Sequence, residues 1–240
     1  MFATFVSVAC VSLIALLGAL ALVVDPARIQ VALRPFVAIT IGVLLGEACF
    51  HLIPEAVERS SSLVGTLDRV GLGIVAFALI DLAIRRLQRQ RSSVATFGMV
   101  SLAAESLHNG MDGALIAASY MVDFHVGIAT TFAVALHEIP HELGNVAVLL
   151  HAGYKPRRAV ALNLVSACTA FAGAAVMLAV RLTDSQVNGI APVAAGGFLY
   201  LAIGSLAPEL WRSATNRVRA ANGLATCAGV VSMALMHRFA

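Results

Sequence analysis

Two stretches of the chain concentrate side chains that bind metals. Residues 108–113 read HNGMDG, and residues 137–144 read HEIPHELG. Residues four apart share one face of a helix, so His108 pairs with Asp112, and His137 pairs with His141. Imidazole and carboxylate together suit Zn²⁺, and without a thiolate they also admit Fe²⁺, Mn²⁺ or Cd²⁺. The two stretches predict a divalent metal site between two neighbouring helices.

The elements that position these residues follow from the composition. Hydrophobic residues make up 60% of the 240 residues, charged residues 12%, and the mean hydropathy is +0.89. Ordinary soluble domains have about 45–50% apolar and about 25% charged residues. This excludes a soluble protein and predicts an all-α, polytopic membrane protein with a single transmembrane domain over residues 1–240.

Apolar runs of about 20 residues are candidate transmembrane helices, because that length crosses a hydrocarbon core of about 30 Å. The predicted eight spans cover residues 4–24, 35–57, 66–84, 94–121, 125–151, 159–180, 191–211 and 219–237. A short loop makes the fourth and fifth spans antiparallel neighbours. At about 1.5 Å per residue, His108 and His137 then lie near the middle of the bilayer. Pro140 interrupts the hydrogen bonding of the fifth span, so we expect a kink there that lines a path.

Acidic residues fall where basic residues are absent. A charged side chain at the bilayer centre costs at least about 2.5–3.5 kcal/mol, so these acids must be protonated, hydrated or bound to a cation. The acids within the spans or near their ends are Glu47, Glu55, Asp81, Glu105, Asp112, Glu138, Glu142 and Glu209. With no Lys or Arg interspersed among them, we expect no internal salt bridges.

The basic residues indicate the orientation. Of the 16 Lys and Arg residues, the side of the membrane that holds the termini has only Arg59, Arg69, Arg181 and Arg238. Cytoplasmic loops carry the excess of Lys and Arg. This predicts that both termini lie outside the cytoplasm.

An enzyme is the alternative interpretation. Residues 137–141 match HExxH, in which two histidines bind zinc and the glutamate acts as a general base. In a membrane this motif suggests an intramembrane metalloprotease. Pro140 within the motif disturbs the helical register, and a second ligand set in the fourth span exceeds the needs of one hydrolytic zinc. We therefore expect a protein that is not an enzyme.

Taken together, these motifs resemble those of the ZIP (Zrt/Irt-like) metal transporters, in the branch with HExPHE in the fifth span. FHLIPEA at the end of the second span and LAPE at the end of the seventh also fit. The resemblance implies zinc uptake into the cytoplasm through a mid-membrane site by alternating access. It implies a main site of His108, Asp112, His137 and His141.

The resemblance also implies a neighbouring second site of Asn109, Asp112 and Glu138. Relatives with a clear second metal carry a further carboxylate in the sixth span, where this chain has no acid. Asn163 and Ser166 are weak candidates there, so we expect a second site to be incomplete or transient.

Two similar segments indicate inverted repeats that flank the central pair of spans in a 3+2+3 arrangement. ACFHLIPEAVERS (48–60) and AIGSLAPELWRSA (202–214) share Pro-Glu at the same position. Pathway residues are then predicted as His51 and Glu55 near the outer mouth, Glu142 and His151 inward of the site, and Glu209 near the inner mouth. The expected partners are divalent metal ions and the lipid bilayer, with no nucleic acid. The resemblance suggests a homodimer, and we expect a bacterial cytoplasmic (inner) membrane.

Overall fold

The chain is almost entirely helical within the residues that the computed structural model describes, which are 1–22, 26–60, 62–88, 95–180, 184–212 and 215–239. Within these ranges there is no strand, which confirms the all-α prediction. The α-helices are α1 (Phe2–Ser12), α2 (Pro26–Gly46), α3 (Ile53–Ser60), α4 (Leu63–Gln88), α5 (Thr96–Val122), α6 (Phe124–His151), α7 (Pro156–Ala167), α8 (Thr169–Val180), α9 (Asp184–Leu199), α10 (Ala207–Trp211) and α11 (Asn216–Phe239). A 3₁₀-helix covers Leu13–Leu22, and π-helical segments cover Glu47–Leu52 and Tyr200–Leu206.

Among the described residues, six stretches are long and apolar enough to cross a membrane, which confirms a polytopic membrane protein. They are Phe2–Ala19, Leu33–Ser60, Leu63–Arg86, Pro156–Val180, Gly189–Trp211 and Asn216–Leu235. They correspond to the predicted spans one, two, three, six, seven and eight. The predicted fourth and fifth spans are α5 and α6, of 27 and 28 residues. Both exceed the length needed to span a bilayer, but they carry the polar motifs.

The second and seventh predicted spans share one irregularity. In each, a π-helical segment immediately precedes an α-helix with proline at its second residue, Pro54 or Pro208. The backbone N–H of Ile53 donates to the carbonyl of Ala48, and that of Ala207 donates to Ala202 in the same way. A wider turn relieves the clash between a proline ring and the preceding turn of helix. The two similar sequence segments therefore have the same local structure.

The central pair α5 and α6 forms a hairpin with a single residue, Asp123, between its helices. Asp123 is the N-cap of α6, and its side chain accepts a hydrogen bond of 2.7 Å from the backbone N–H of His125. Because the helices run antiparallel from this turn, residues at equal distances from Asp123 face one another. The Ser101–Asn145 hydrogen bond joins positions at equal distance from the turn.

Three helix pairs approach closely at glycine: α2 with α11, α5 with α8, and α4 with α9. A Cβ added at Gly42 would collide with the carbonyl oxygen of Thr226, and one at Gly113 with that of Ala170. A Cβ added at Gly73 would likewise collide with the carbonyl oxygen of Val193. Small residues that let backbones approach are typical of helix packing in membranes.

The kink expected at Pro140 stays a prediction, because α6 remains α-helical through this residue, while π-helical turns lie in the second and seventh spans. The expectation of no internal salt bridges is wrong. Arg85 donates to both carboxylate oxygens of Asp81 at 2.9 and 2.8 Å, and Arg59 pairs with Glu55. In both cases an Arg near the end of a span reaches back one turn, as long basic side chains do.

Some predicted features lie outside the described residues. Arg181, which was counted for the orientation, is one of them. The structure also does not describe the last residues of the first predicted span or the first residue of the fourth.

Candidate metal centre

Four side chains of the α5–α6 hairpin meet at one point: His108 and Asp112 from α5, and His137 and Glu138 from α6. His108 Nε2 lies 3.5 Å from Asp112 Oδ2 and 3.3 Å from Glu138 Oε1. His137 Nε2 lies 3.3 Å from Asp112 Oδ2 and 3.8 Å from Glu138 Oε1. Tetrahedral ligands with bonds of about 2.0–2.1 Å stand about 3.4 Å apart. The spacing of these four side chains, called the quartet below, therefore fits a four-coordinate metal.

The quartet is buried and short of hydrogen bonds. Glu138 is 0% exposed and His108 1% exposed. Among the described residues, neither ring nitrogen of His108 and neither carboxylate oxygen of Glu138 has a hydrogen-bond partner. A buried polar atom without a partner costs about 1–3 kcal/mol. A bound cation would satisfy these atoms together, which favours a metal centre over a structural role.

The structure places His141 differently from the predicted main site. His141 stacks on His108 with ring centroids 4.9 Å apart, but it does not belong to the quartet. Its Nδ1 lies 3.9 Å from Glu105 Oε2, and its Nε2 has no hydrogen-bond partner among the described residues. Glu138, which was assigned to the second site, instead completes the quartet.

A second group of ligand atoms lies beside the quartet and shares Glu138 with it. Glu105, Glu138 and Glu142 each offer a carboxylate oxygen, with all three oxygens within 4.8 Å of one another. Asn109, predicted for a second site, is buried, but its side-chain N–H donates to the backbone carbonyl of Glu105 at 3.1 Å. The structure thus brings Glu105 and Glu142 close to Glu138.

A chain of hydrogen bonds, the polar relay, leads away from Glu142 across three helices. Ser101 Oγ donates to Asn145 Oδ1 at 2.8 Å, and Asn145 Nδ2 donates to Asn163 Oδ1 at 2.7 Å. Asn163 Nδ2 donates to Glu142 Oε2. Asn163, a weak candidate in the sequence, therefore contacts the second group through Glu142. Ser166 does not, because its hydroxyl pairs with that of Ser106 at 3.1 Å.

Sequence reasoning missed Ser101 and Asn145 and gave Glu105 no role in the site. A signal existed. Asn145 follows His141 by one helical turn on α6, and the spacing of Ser101, Glu105 and His108 keeps them on one face of α5.

A cavity of about 520 Å³, the vestibule, reaches the quartet from the Asp123 end of the hairpin. Its lining includes His137 from the quartet and Glu47, His51, Glu55 and Arg59 from the second span. His51 Nδ1 lies 2.7 Å from Glu47 Oε1, and its Nε2 lies 3.3 Å from Glu55 Oε2. The His51 ring centroid is 5.5 Å from that of His137. The predicted residues His51 and Glu55 are thus next to the quartet on this side.

The other predicted pathway residues lie beyond the polar relay. His151 ends α6 and is half-buried, with its ring centroid 5.8 Å from that of Phe97. Glu209 is exposed on α10. The structure does not bring either of them to the quartet.

Comparison with known proteins places the chain among metal transporters. A family model described as ZIP zinc transporter matches residues 86–237. Zinc transporter ZIP13 of Pongo abelii is 30% identical over 227 residues, which cover 86% of this chain and 67% of that protein. Human zinc transporter ZIP4 is 45% identical over 112 residues, which cover 47% of this chain and 17% of that protein. Zinc transporter SLC39A7 of Mus musculus is 38% identical over 157 residues, 62% of this chain and 33% of its own length.

The chain therefore spans less than two thirds of ZIP4 and SLC39A7. The match to the family model nonetheless covers more than half of this chain and includes both central motifs. Members of this family are transporters and not enzymes, which confirms that the chain is not an enzyme and argues against the metalloprotease. The chain belongs to the ZIP family of zinc transporters.

Proposed function

We propose that this protein carries a divalent cation, with zinc as the main substrate, through the quartet from one side of a membrane to the other. The observation that carries the proposal is the quartet itself. Its unpartnered ligand atoms are buried between two central helices, and their spacing fits a four-coordinate cation. The relatives described above are named as zinc transporters. The same nitrogen and oxygen ligands also accept Fe²⁺, Mn²⁺ or Cd²⁺.

Alternating access is supported by the asymmetry around the quartet. At the Asp123 end the vestibule opens to His137. At the opposite end, the buried Asn145 and Asn163 of the polar relay are hydrogen-bonded to each other and to Glu142. We expect an ion that leaves toward that end to break the bond between Asn163 and Glu142. The 3+2+3 arrangement with inverted repeats is supported by the matching π-helical segments before Pro54 and Pro208.

Uptake into the cytoplasm is the direction that the distribution of basic residues favours. With both termini outside, the Asp123 turn and the vestibule face outward. A metal ion then reaches Glu55 and His51 first and the quartet next. A homodimer and a bacterial inner membrane both remain predictions; the relatives named above are eukaryotic.

The test is zinc influx into liposomes that contain the purified protein and an internal zinc-sensitive dye. The wild type should give saturable influx, and His137→Ala should abolish it, because the quartet loses a ligand that touches both carboxylates. Even the loss of a residue that only hydrogen-bonds to a metal ligand weakens metal binding about 10–100-fold, so the loss of a ligand itself should cost more. His125→Ala is the matched control, since His125 is an exposed histidine at the start of the same helix.

Full saturable influx by a correctly folded His137→Ala protein would refute the quartet as the transport site. Zinc binding without influx in the wild type would indicate a metal-regulated receptor. Cleavage of a membrane-embedded peptide would restore the metalloprotease interpretation.

A further inference from the structure

We propose that Glu105, Glu138 and Glu142 form an oxygen-only cation site that receives the transported ion from the quartet through their shared ligand, Glu138. This inference rests on the proposed function and adds a step to it. The ligand set differs from the second site that the resemblance implies, because Asn109 and Asp112 are not part of it.

The first argument is the state of the three carboxylates. Glu105, Glu138 and Glu142 are 3%, 0% and 1% exposed. Among the described residues, Glu105 Oε1, Glu142 Oε1 and both oxygens of Glu138 have no hydrogen-bond partner. An uncompensated buried charge costs several kcal/mol, and three adjacent carboxylates repel one another. A divalent cation between them removes both costs.

A histidine provides an independent observation. His141 is 2% exposed, its Nδ1 lies 3.9 Å from Glu105 Oε2, and its Nε2 has no hydrogen-bond partner among the described residues. This ring stacks against His108 of the quartet. His141 therefore stands between the two sites, as a buried polar side chain directed at Glu105.

The size of the group suits a cation. Metal–oxygen bonds of about 2.0–2.2 Å place opposite ligand oxygens about 4.2 Å apart. The three oxygens lie within 4.8 Å of one another, so a few tenths of an ångström of movement suffice. Rotation of a glutamate side chain provides this movement without a change in the backbone.

The two sites follow one another along the hairpin. On α5, Glu105 precedes His108 by three residues, and on α6, Glu142 follows Glu138 by four. Because the helices are antiparallel, both shifts point away from Asp123 and the vestibule. At 1.5 Å per residue the second site lies about 5 Å beyond the quartet. Glu138 can therefore keep hold of the ion while the other ligands exchange.

The polar relay orients the second site. Asn163 donates to one oxygen of Glu142, Oε2, and leaves Oε1 for a cation. Asn145 and Ser101 hold the Asn163 amide in this orientation through bonds of 2.7 and 2.8 Å. Oxygen-only ligands favour harder cations than a mixed nitrogen and oxygen set. Zinc thus binds more weakly in the second site, which promotes its release.

The test is Mn²⁺ binding to the full-length protein in detergent, followed by electron paramagnetic resonance. His108→Ala/His137→Ala removes the quartet's nitrogens and should retain one bound Mn²⁺ without ¹⁴N couplings. Adding Glu105→Gln/Glu142→Gln should remove that ion. In the wild-type background, Glu105→Gln/Glu142→Gln should retain one Mn²⁺ with ¹⁴N couplings. Asp68→Asn, which changes an exposed carboxylate of α4 that is not among the residues lining the vestibule, is the control and should change neither count.

Loss of all Mn²⁺ binding in a folded His108→Ala/His137→Ala protein would overturn the proposal. So would ¹⁴N couplings in that variant, which would assign His141 as a ligand, or a bound ion that survives all four substitutions. Melting temperatures without metal verify folding, and His108→Phe/His137→Phe, which keeps ring volume but has no nitrogen ligand, replaces the pair if the alanine variant unfolds. The number of bound Mn²⁺ ions is measured independently of zinc influx. A wild type that binds Mn²⁺ in both sites but gives no zinc influx would refute transport and leave the second site standing.

Discussion

Glu138 occupies a special position among the ligand residues. It is fully buried, it lies 3.3 Å from His108 in the quartet, and it belongs to the three-carboxylate group as well. The residue before it, His137, contacts the vestibule. The adjacent residues His137 and Glu138 of α6 therefore contact the vestibule and the three-carboxylate group, respectively. Asn163 also links two groups, because its amide accepts a hydrogen bond from Asn145 and donates one to Glu142.

Replacement of Asn163 by alanine should lower the stability of the protein by about 1–3 kcal/mol. The substitution leaves the buried amide of Asn145 without its acceptor and Glu142 Oε2 without its donor, and each unsatisfied buried group carries such a cost. The measurement is the melting temperature in detergent without metal. Ser232→Ala is the control, since that hydroxyl bonds only locally, to the carbonyl of Gly229 at 2.7 Å. Equal melting temperatures of the Asn163→Ala variant and the wild type would mean that the polar relay does not hold the helices together.

At the scale of helices, glycine and proline determine how the spans pack around the site. The π-helical segments allow Pro54 and Pro208 to lie inside long spans without ending them. The segment before Pro54 contains both Glu47 and His51, so the irregular turn carries the vestibule ligands. The segment before Pro208 begins at Tyr200, whose hydroxyl donates to Asp81 of α4 at 2.7 Å. Both irregular turns thus carry side chains that form polar contacts.

Close packing of α2 on α11 predicts that Gly42→Ala destabilises the protein by about 1–3 kcal/mol, the usual cost of overpacking. The new methyl group would meet the carbonyl oxygen of Thr226, which is backbone and cannot move aside alone. Gly223→Ala is the matched control on α11, because nothing lies within 4 Å of its added Cβ. There the better helix propensity of alanine should leave stability unchanged or raise it by about 0.5–1 kcal/mol. Thermal unfolding in detergent compares the two variants, and a neutral Gly42→Ala would show that the two helices are not tightly packed.

At the scale of the whole molecule, the two ends of the α5–α6 hairpin differ. The vestibule of about 520 Å³ lies at the Asp123 end, and the polar relay lies at the opposite end. Helices from each of the six apolar stretches contact the hairpin, which carries the ionisable residues of both proposed sites. The molecule therefore separates a lipid-compatible shell from a polar interior.

The positive-inside distribution predicts that both termini are outside the cytoplasm. Epitope tags at the N-terminus and the C-terminus should both be digested by protease added to spheroplasts, which have lost the outer barrier but keep an intact inner membrane. A tag inserted between residues 89 and 91, in a basic stretch of the opposite side, should be protected. Protection of both terminal tags would reverse the orientation, and protection of one alone would contradict an even number of spans.

The sequence predicted the helical passes and the meeting of His108, Asp112 and His137, because helical spacing and a short loop follow from the chain alone. It did not predict that Glu138 rather than His141 completes the quartet. That choice depends on how far α6 is rotated toward α5, which spacing along one helix does not determine. The roles of Ser101 and Asn145 depend on partners from other helices. The salt bridge of Asp81 with Arg85 was missed because a long side chain reaches back into the span from its end.

The single-residue turn at Asp123 has a consequence for how the protein is made. Both metal sites use residues of one continuous segment, Glu105 to Glu142, so their ligands leave the ribosome consecutively. Contacts that are local in sequence form early. The hairpin is more polar than the six apolar stretches, and each of its helices alone pays the insertion penalty of its charged residues. Insertion of α5 and α6 as a pair would shield these groups against one another, so we expect the ligands of the quartet to meet during synthesis, before the last three predicted spans are made.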